Sequence, residues 1–141
     1  MYKCKYFEIQ ELVPNDVLEL LGEDICWGLF DPRLLLTIDM LREKFERPIM
    51  VNSTNLGLQE RGFRVHNTTT GAEKSAHKEG KAVDFSVAGL SAQETRNYIY
   101  KLIQIQDPAV QFITEMEEDT ESWVHISTRG QSKTFRKIGG K

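Results

Sequence analysis

The chain is poor in the residues that staple small folds or mark special compartments. It has two cysteines, Cys4 and Cys26, and neither sits in a Cys-x-x-Cys spacing. That excludes a disulfide-dense scaffold and a cysteine-built metal finger. Both read as free or buried thiols, and nothing in the sequence supports a bridge between them. Long apolar runs are also missing: the opening Met1-Tyr-Lys-Cys-Lys-Tyr-Phe-Glu8 contains none. The expectation is therefore no signal peptide and no membrane span. Such a product is made in the cytoplasm and meets an outside substrate only after export or lysis. An excess of positive charge is absent too. The formal net charge is -3, which argues against nucleic acid as the main partner, because phosphate binding wants a basic face. The only basic concentration is at the end, with Arg129, Lys133, Arg136, Lys137 and Lys141. No internal repeat, linker or low-complexity block breaks the chain.

What is present is the balance of a soluble globular protein, 40% hydrophobic and 28% charged over 141 residues. That length predicts one domain, expected to act as a monomer, with a core that needs no disulfide or metal to hold it. Asp31-Pro32 is a helix start, since Asp caps and Pro suits the first helical position. Leu34, Ile38, Leu41 and Phe45 then recur at helical spacing and predict a helix over 32–46. Arg47-Pro48 ends it. A shorter helix is expected over about 14–22, and Pro48–Asn52 reads as a short buried strand. Residues 53–80, rich in Gly, Asn, Thr and Ser, read as a long loop of the kind that often carries function. Residues 81–87 alternate as a strand. Ser91-Ala-Gln-Glu94 is a capping box that predicts a second long helix over about 92–106, stopped by Asp107-Pro108. Residues 110–117 and 123–128 read as a hairpin, and the polar tail from about 130 as loosely ordered.

Histidine is scarce too, with three in the chain, and two of them lie in motifs. One motif is Ser75-Ala-His77-Lys-Glu-Gly80-Lys-Ala82-Val-Asp84. The other is Ser122-Trp123-Val-His125-Ile-Ser127. Two imidazoles and a carboxylate are a usual ligand set for a catalytic zinc, which keeps a fourth position for water. Strand alternation supports their convergence. Val83, Phe85 and Val87 would face one way and Asp84 the other. Val124 and Ile126 would face the core and His125 away from it, with Trp123 and Ser127. Val110, Phe112 and Met116 would be core-facing, leaving Ile113, Glu115 and Glu117 on the opposite side. One polar face would then gather Asp84, His125, Glu115 and Glu117, with His77 entering from the loop. Each residue alone has a plain alternative: a solvated loop histidine, a packing Trp-Val-His, a glycine serving a turn. His66 in particular reads as an exposed loop residue. On the residues alone, a metal cleft and an ordinary sheet face remain equally open.

The pattern Ser-x-His-x-x-Gly-x-Ala-x-Asp followed by a late Trp-x-His-x-Ser resembles the zinc D-Ala-D-Ala carboxypeptidase family, which shares its fold with the hedgehog signalling domain. The matched positions are Ser75, His77, Gly80, Ala82, Asp84, Trp123, His125 and Ser127. Upstream, Leu29–Leu35, Leu41-Arg42, Pro48–Asn52 and Arg61-Gly62-Phe63-Arg64 look like segments of small phage and prophage members. The resemblance covers roughly 7–129. It implies an α+β fold, a small antiparallel sheet flanked by helices. It also implies a zinc held by His77, Asp84 and His125, and hydrolysis of a peptidoglycan stem peptide, above all between two D-alanines. Arg64 would grip the substrate's terminal carboxylate, Ser75 would bind substrate or orient a ligand, and Trp123 would wall the cleft or pack. Many members place the general base three positions before the last His. Here that position is Ser122, so the base moves to the preceding strand: Glu117 first, Glu115 second, and Glu121 in the acidic turn third. Two other readings stand beside this one. One is an endolysin-type cut between L-Ala and D-Glu; the other is a non-catalytic, zinc-stabilised wall-binding module.

Overall fold

The computed structural model describes residues 1–51, 62, 79–130 and 136–138. Four helices and five strands follow in the order α1 (Asn15–Leu21), α2 (Glu23–Trp27), α3 (Pro32–Phe45), β1 (Ile49–Met50), β2 (Ala82–Val87), α4 (Ala92–Gln104), β3 (Glu115–Glu117), β4 (Val124–Ser127) and β5 (Arg136–Ile138). The α+β class is as expected. None of the helices among the described residues is long and apolar enough to cross a membrane.

The two long helices start where their caps dictate. Asp31 accepts from the Arg33 amide at 3.0 Å, with Pro32 in the first turn. At α4, Ser91 Oγ accepts from the Glu94 amide at 3.0 Å, and the Glu94 carboxylate accepts from the Ser91 amide at 2.9 Å. These reciprocal bonds satisfy donors that the first helical turn leaves without partners. Helix α3 ends at Glu46, in the left-handed conformation with φ 54°, just before Pro48. Its inner face buries Leu34, Leu35, Ile38, Leu41 and Phe45, and burying each such side chain is worth roughly 1.5–3 kcal/mol. Cys4 and Cys26 are both free thiols.

The strands lie in the spatial order β1-β2-β4-β3-β5. The first four are mutually antiparallel. The fifth corrects two expectations. It runs parallel to β3, with Glu115 opposite Arg136 and Glu117 opposite Ile138, so the sheet is mixed at that edge. It also draws part of the tail beyond residue 130 into the sheet. Polarity alone could not show this, because an edge strand pairs through its backbone. Two further differences are local. Strand β1 is only two residues long, and α2, which buries Cys26 and Trp27, was not anticipated. The predicted strand over 110–117 shrinks to 115–117, because Pro108–Val110 form a 3-10 turn capped by Asp107. Alternation fails before residue 115 for that reason, and Ile113 is buried in the core instead of pointing away.

From residue 115 onward the alternation holds. Val83, Phe85, Met116, Val124 and Ile126 are each at most 1% exposed and join the core with Ile99 and Leu102 of α4. The opposite face of the same strands carries the polar residues.

Candidate functional site

The register of β2 against β4 places Asp84 directly opposite His125. Directly opposed residues on one face of an antiparallel pair bring their Cβ atoms within about 5.5 Å. Here the side chains meet: His125 Nδ1 and Asp84 Oδ1 are 2.8 Å apart. Both are buried, at 9% and 6% exposure. A carboxylate oxygen and an imidazole nitrogen have thus been brought together out of water by strand pairing alone.

Strand β3 extends the row. Glu115 pairs with Ser127 and Met116 with Ile126. The same register carried one residue further sets Glu117 beside His125. Met116 fills the core, so Glu115 and Glu117 project to the polar face. The two glutamates differ in setting. Glu115 is 3% exposed and accepts a 2.7 Å bond from Arg129 Nε. Glu117 is half-buried, at the edge nearer the turn. Glu121 lies in that turn, exposed, and so is Ser122, whose carbonyl accepts from Ser86 Oγ at 3.0 Å.

The turn between β3 and β4 is fixed from below. Arg96 of α4, itself buried, donates through Nη1 to the Thr120 carbonyl at 3.0 Å and to Thr120 Oγ1 at 2.9 Å. Thr120 Oγ1 in turn donates to the Trp123 carbonyl at 2.6 Å. The Trp123 backbone is therefore held while its side chain is 36% exposed. Its indole therefore keeps access to solvent at the start of β4.

At the other end of the row, Thr128 Oγ1 donates to Asp31 Oδ2 at 2.8 Å, and the Thr128 amide to the Lys81 carbonyl at 2.8 Å. Asp31 also receives the Arg33 guanidinium at 2.9 Å. Burial alone would push its carboxyl up, but the bonds from Arg33 and Thr128 outweigh that and hold it below the usual carboxylate range. One carboxylate thus caps α3 and ties the helix to the end of β4.

His77, Arg64, Ser75 and His66 lie outside the described residues. Among the described residues, no group of three or more His, Cys, Asp and Glu is gathered that could hold a metal ion. The pair that is described fits one chemically, because oxygen and nitrogen donors of these two types are zinc ligands. Sequence reasoning passed over Arg129, counting it only with the basic tail. The available signal was its place two residues beyond Ser127, on the parity of His125.

A family model described as peptidase M15 matches residues 11–127. The chain belongs to that family. This agrees with the zinc D-Ala-D-Ala carboxypeptidase type inferred from the two motifs. Membership makes the chain a member of a metallopeptidase family whose peptidases are generally zinc-dependent and take a peptide substrate. No curated protein and no solved structure matches significantly.

Proposed function

We propose that this M15 peptidase removes the terminal D-alanine from peptidoglycan stem peptides, with Asp84, His125 and His77 holding the zinc and Glu117 as general base. The observation that carries the reading is the Asp84–His125 pair across β2 and β4. It is a buried oxygen and nitrogen donor pair, and the neighbouring strand β3 ends on a half-buried carboxylate of the same parity as Glu115. When bound, zinc supplies a water nucleophile at neutral pH and polarises the carbonyl under attack.

The chain's own residues supply the rest. The Glu117 carboxylate accepts the proton released by the attacking water and returns it to the leaving amine. Its freedom from the Glu115–Arg129 pair suits that role. Glu115 is engaged by a guanidinium, and Glu121 is out in the solvated turn. Trp123 walls the rim, Ser75 orients ligand or substrate, and Arg64 meets the substrate carboxylate. The fold would be that of the hedgehog and D-Ala-D-Ala-peptidase group, and the enzyme would reach the wall after export or lysis.

The test is a purified stem pentapeptide incubated with zinc-loaded protein and read by mass spectrometry, beside Glu117→Gln. Loss of one terminal alanine is expected. Turnover by Glu117→Gln should fall about 10²- to 10⁴-fold, the usual worth of a general base, with zinc content unchanged. An internal cut would replace the carboxypeptidase reading with an endopeptidase. Bound zinc without cleavage would favour a binding module. Unchanged turnover in Glu117→Gln would remove Glu117 from the mechanism.

A further inference from the structure

Resting on that reading of the metal ligands, we propose that Asp31 is a positioning residue for the metal centre. It clamps the entry of β2 to the exit of β4, and so sets how tightly Asp84 and His125 bind a divalent cation.

A helix cap needs one carboxylate oxygen, and Asp31 uses both of its own. Oδ1 accepts from the Arg33 amide at 3.0 Å, which is the cap of α3. Oδ2 accepts from Thr128 Oγ1 at 2.8 Å, a residue 97 positions further along the chain. The Asp31 amide donates to the Gly80 carbonyl at 2.9 Å. One residue is thus attached to α3, to the exit of β4 and to the entry of β2. Its own base is firm, because Leu34 and Leu35 in the first turn of α3 are at most 1% exposed within the core. Gly80 closes the junction from the other side: a Cβ there would stand 1.9 Å from the Leu29 carbonyl oxygen, so only glycine approaches this closely.

The junction stands at the end of the ladder that carries the donors. From it the pairs Ala82–Ser127, Val83–Ile126 and Asp84–His125 run inward. The Thr128 amide, bonded to the Lys81 carbonyl at 2.8 Å, adds one rung outside them. Element ends are where native structure opens most easily. A metal centre tolerates little of that, since its donors must stand within about 0.2 Å of their ideal distances. Burial on the apolar face selects the register of β2 and β4, but it does not tie their ends. Asp31 does, through a bond that water scarcely reaches: Thr128 is fully buried and the Asp31 side chain nearly so. In the sequence, Gly80 also ends the motif that holds His77, so each of the three expected ligands lies within four residues of a residue that Asp31 bonds.

The experiment measures zinc affinity of the full chain by competition with a chromophoric chelator. It compares wild type, Thr128→Val, Thr128→Ser, Asp31→Ala and the double variant Asp31→Ala/Thr128→Val. Ser91→Ala, which loses the cap of α4, is the control for stability alone. The visible spectrum of the cobalt-loaded proteins reports the coordination, and urea denaturation of the metal-free proteins gives each stability loss. Thr128→Val and Asp31→Ala should each raise the zinc Kd about 10-fold, the lower end of the range for residues that support metal ligands, and alter the cobalt spectrum. Thr128→Ser should keep the wild-type Kd. The double variant should be no weaker than Asp31→Ala, because both substitutions remove the same bond. Ser91→Ala should lose stability and keep its Kd. A zinc Kd unchanged in both Thr128→Val and Asp31→Ala would overturn the proposal. So would an equal rise in Ser91→Ala, which would mark a general loss of stability, or fully additive losses in the double variant. Zinc affinity that depends on Asp31 and Thr128, without hydrolysis of a stem pentapeptide by wild type, would support the clamp and overturn the peptidase reading. Hydrolysis with a zinc Kd indifferent to both residues would do the reverse, and a wild type that binds no zinc would overturn both.

Discussion

Replacing Gly80 by alanine tests whether the strand that carries Asp84 is set by a backbone contact. Gly80 has φ +69° and ends the motif's turn into β2. A Cβ built there would stand 1.9 Å from the Leu29 carbonyl oxygen, 2.9 Å from the Leu29 carbonyl carbon and 3.0 Å from Phe30 Cα. All three are backbone atoms, so no side chain can swing aside. The Gly80 carbonyl also accepts from the Asp31 amide at 2.9 Å. Three costs add. A left-handed non-glycine residue costs about 1–2 kcal/mol. Forcing backbone apart in a packed region costs about 1–3 kcal/mol. Strain on the Gly80–Asp31 bond puts about 1 kcal/mol at risk. Alanine returns about 0.4–1 kcal/mol by restricting the unfolded chain. The net loss should be about 2–5.5 kcal/mol, or roughly 6–16 °C in Tm for a chain of this size. Urea denaturation followed by circular dichroism measures it. Gly130 provides the control, because its φ is +81° yet nothing lies within 4 Å of an added Cβ. Gly130→Ala should show the conformational cost alone, about 1 kcal/mol. If Gly80→Ala loses no more than Gly130→Ala, the close approach of Gly80 to Leu29 does not hold β2 in place.

Two further outcomes follow from the polar contacts. A ring nitrogen and a carboxylate oxygen at 2.8 Å share a proton, so the zinc-free protein should show a downfield His125 Nδ1–H resonance. Zinc should abolish it if Nδ1 is the ligand; a resonance that survives zinc would make Asp84 an orienting partner behind the ring instead. Asp31→Asn keeps a capping side chain, since Asn caps as well as Asp, but removes the charge that pairs with Arg33, and should cost at most about 1 kcal/mol at pH 7. The carboxyl of Asp31 is held down by Arg33 and Thr128 despite its burial. Its contribution is therefore full above the unfolded carboxylate value, near 3.9, and fades as pH falls through the lower folded value. Urea midpoints of wild type and variant should converge towards pH 3 and below, and a constant gap would refute the ionic origin.

Those parts of the fold written in local chemistry were legible in the sequence. Asp31-Pro32 and the Ser91/Glu94 box each placed a helix start to the residue, because a cap is satisfied by neighbours in sequence. The facing of Asp84 and of His125 also followed from period-two alternation within β2 and β4. What alternation could not supply was where each strand begins. Asp107-Pro108 started a 3-10 turn rather than merely ending a helix, so parity counted from Val110 misassigned Ile113. Strand β5 was invisible for a different reason: its partner is the backbone of β3, and its residues carry no alternating signature. Arg129 was missed because a charged residue near a chain end reads as solvated until a buried acid is found against it.

The apolar face of the sheet gives the chemical face its accuracy. A slip of one residue between β2 and β4 would set Asp84 opposite Val124 or Ile126 and turn Val83 and Phe85 out of the core. Val83, Phe85, Val124 and Ile126 are each at most 1% exposed, and moving any of them into a polar environment costs roughly 1.5–3 kcal/mol. Several such penalties exceed what the Asp84–His125 bond itself contributes, about 1.5–3 kcal/mol for a charged hydrogen bond. The donor pair is therefore positioned by hydrophobic burial and not by its own attraction. Arg96 and Thr120 extend the same logic to the rim, fixing the Trp123 backbone through bonds made below the sheet. The polar face can consequently gather Asp84, Glu115 and Glu117 on neighbouring strands, because the register that places them is set by burial on the other side.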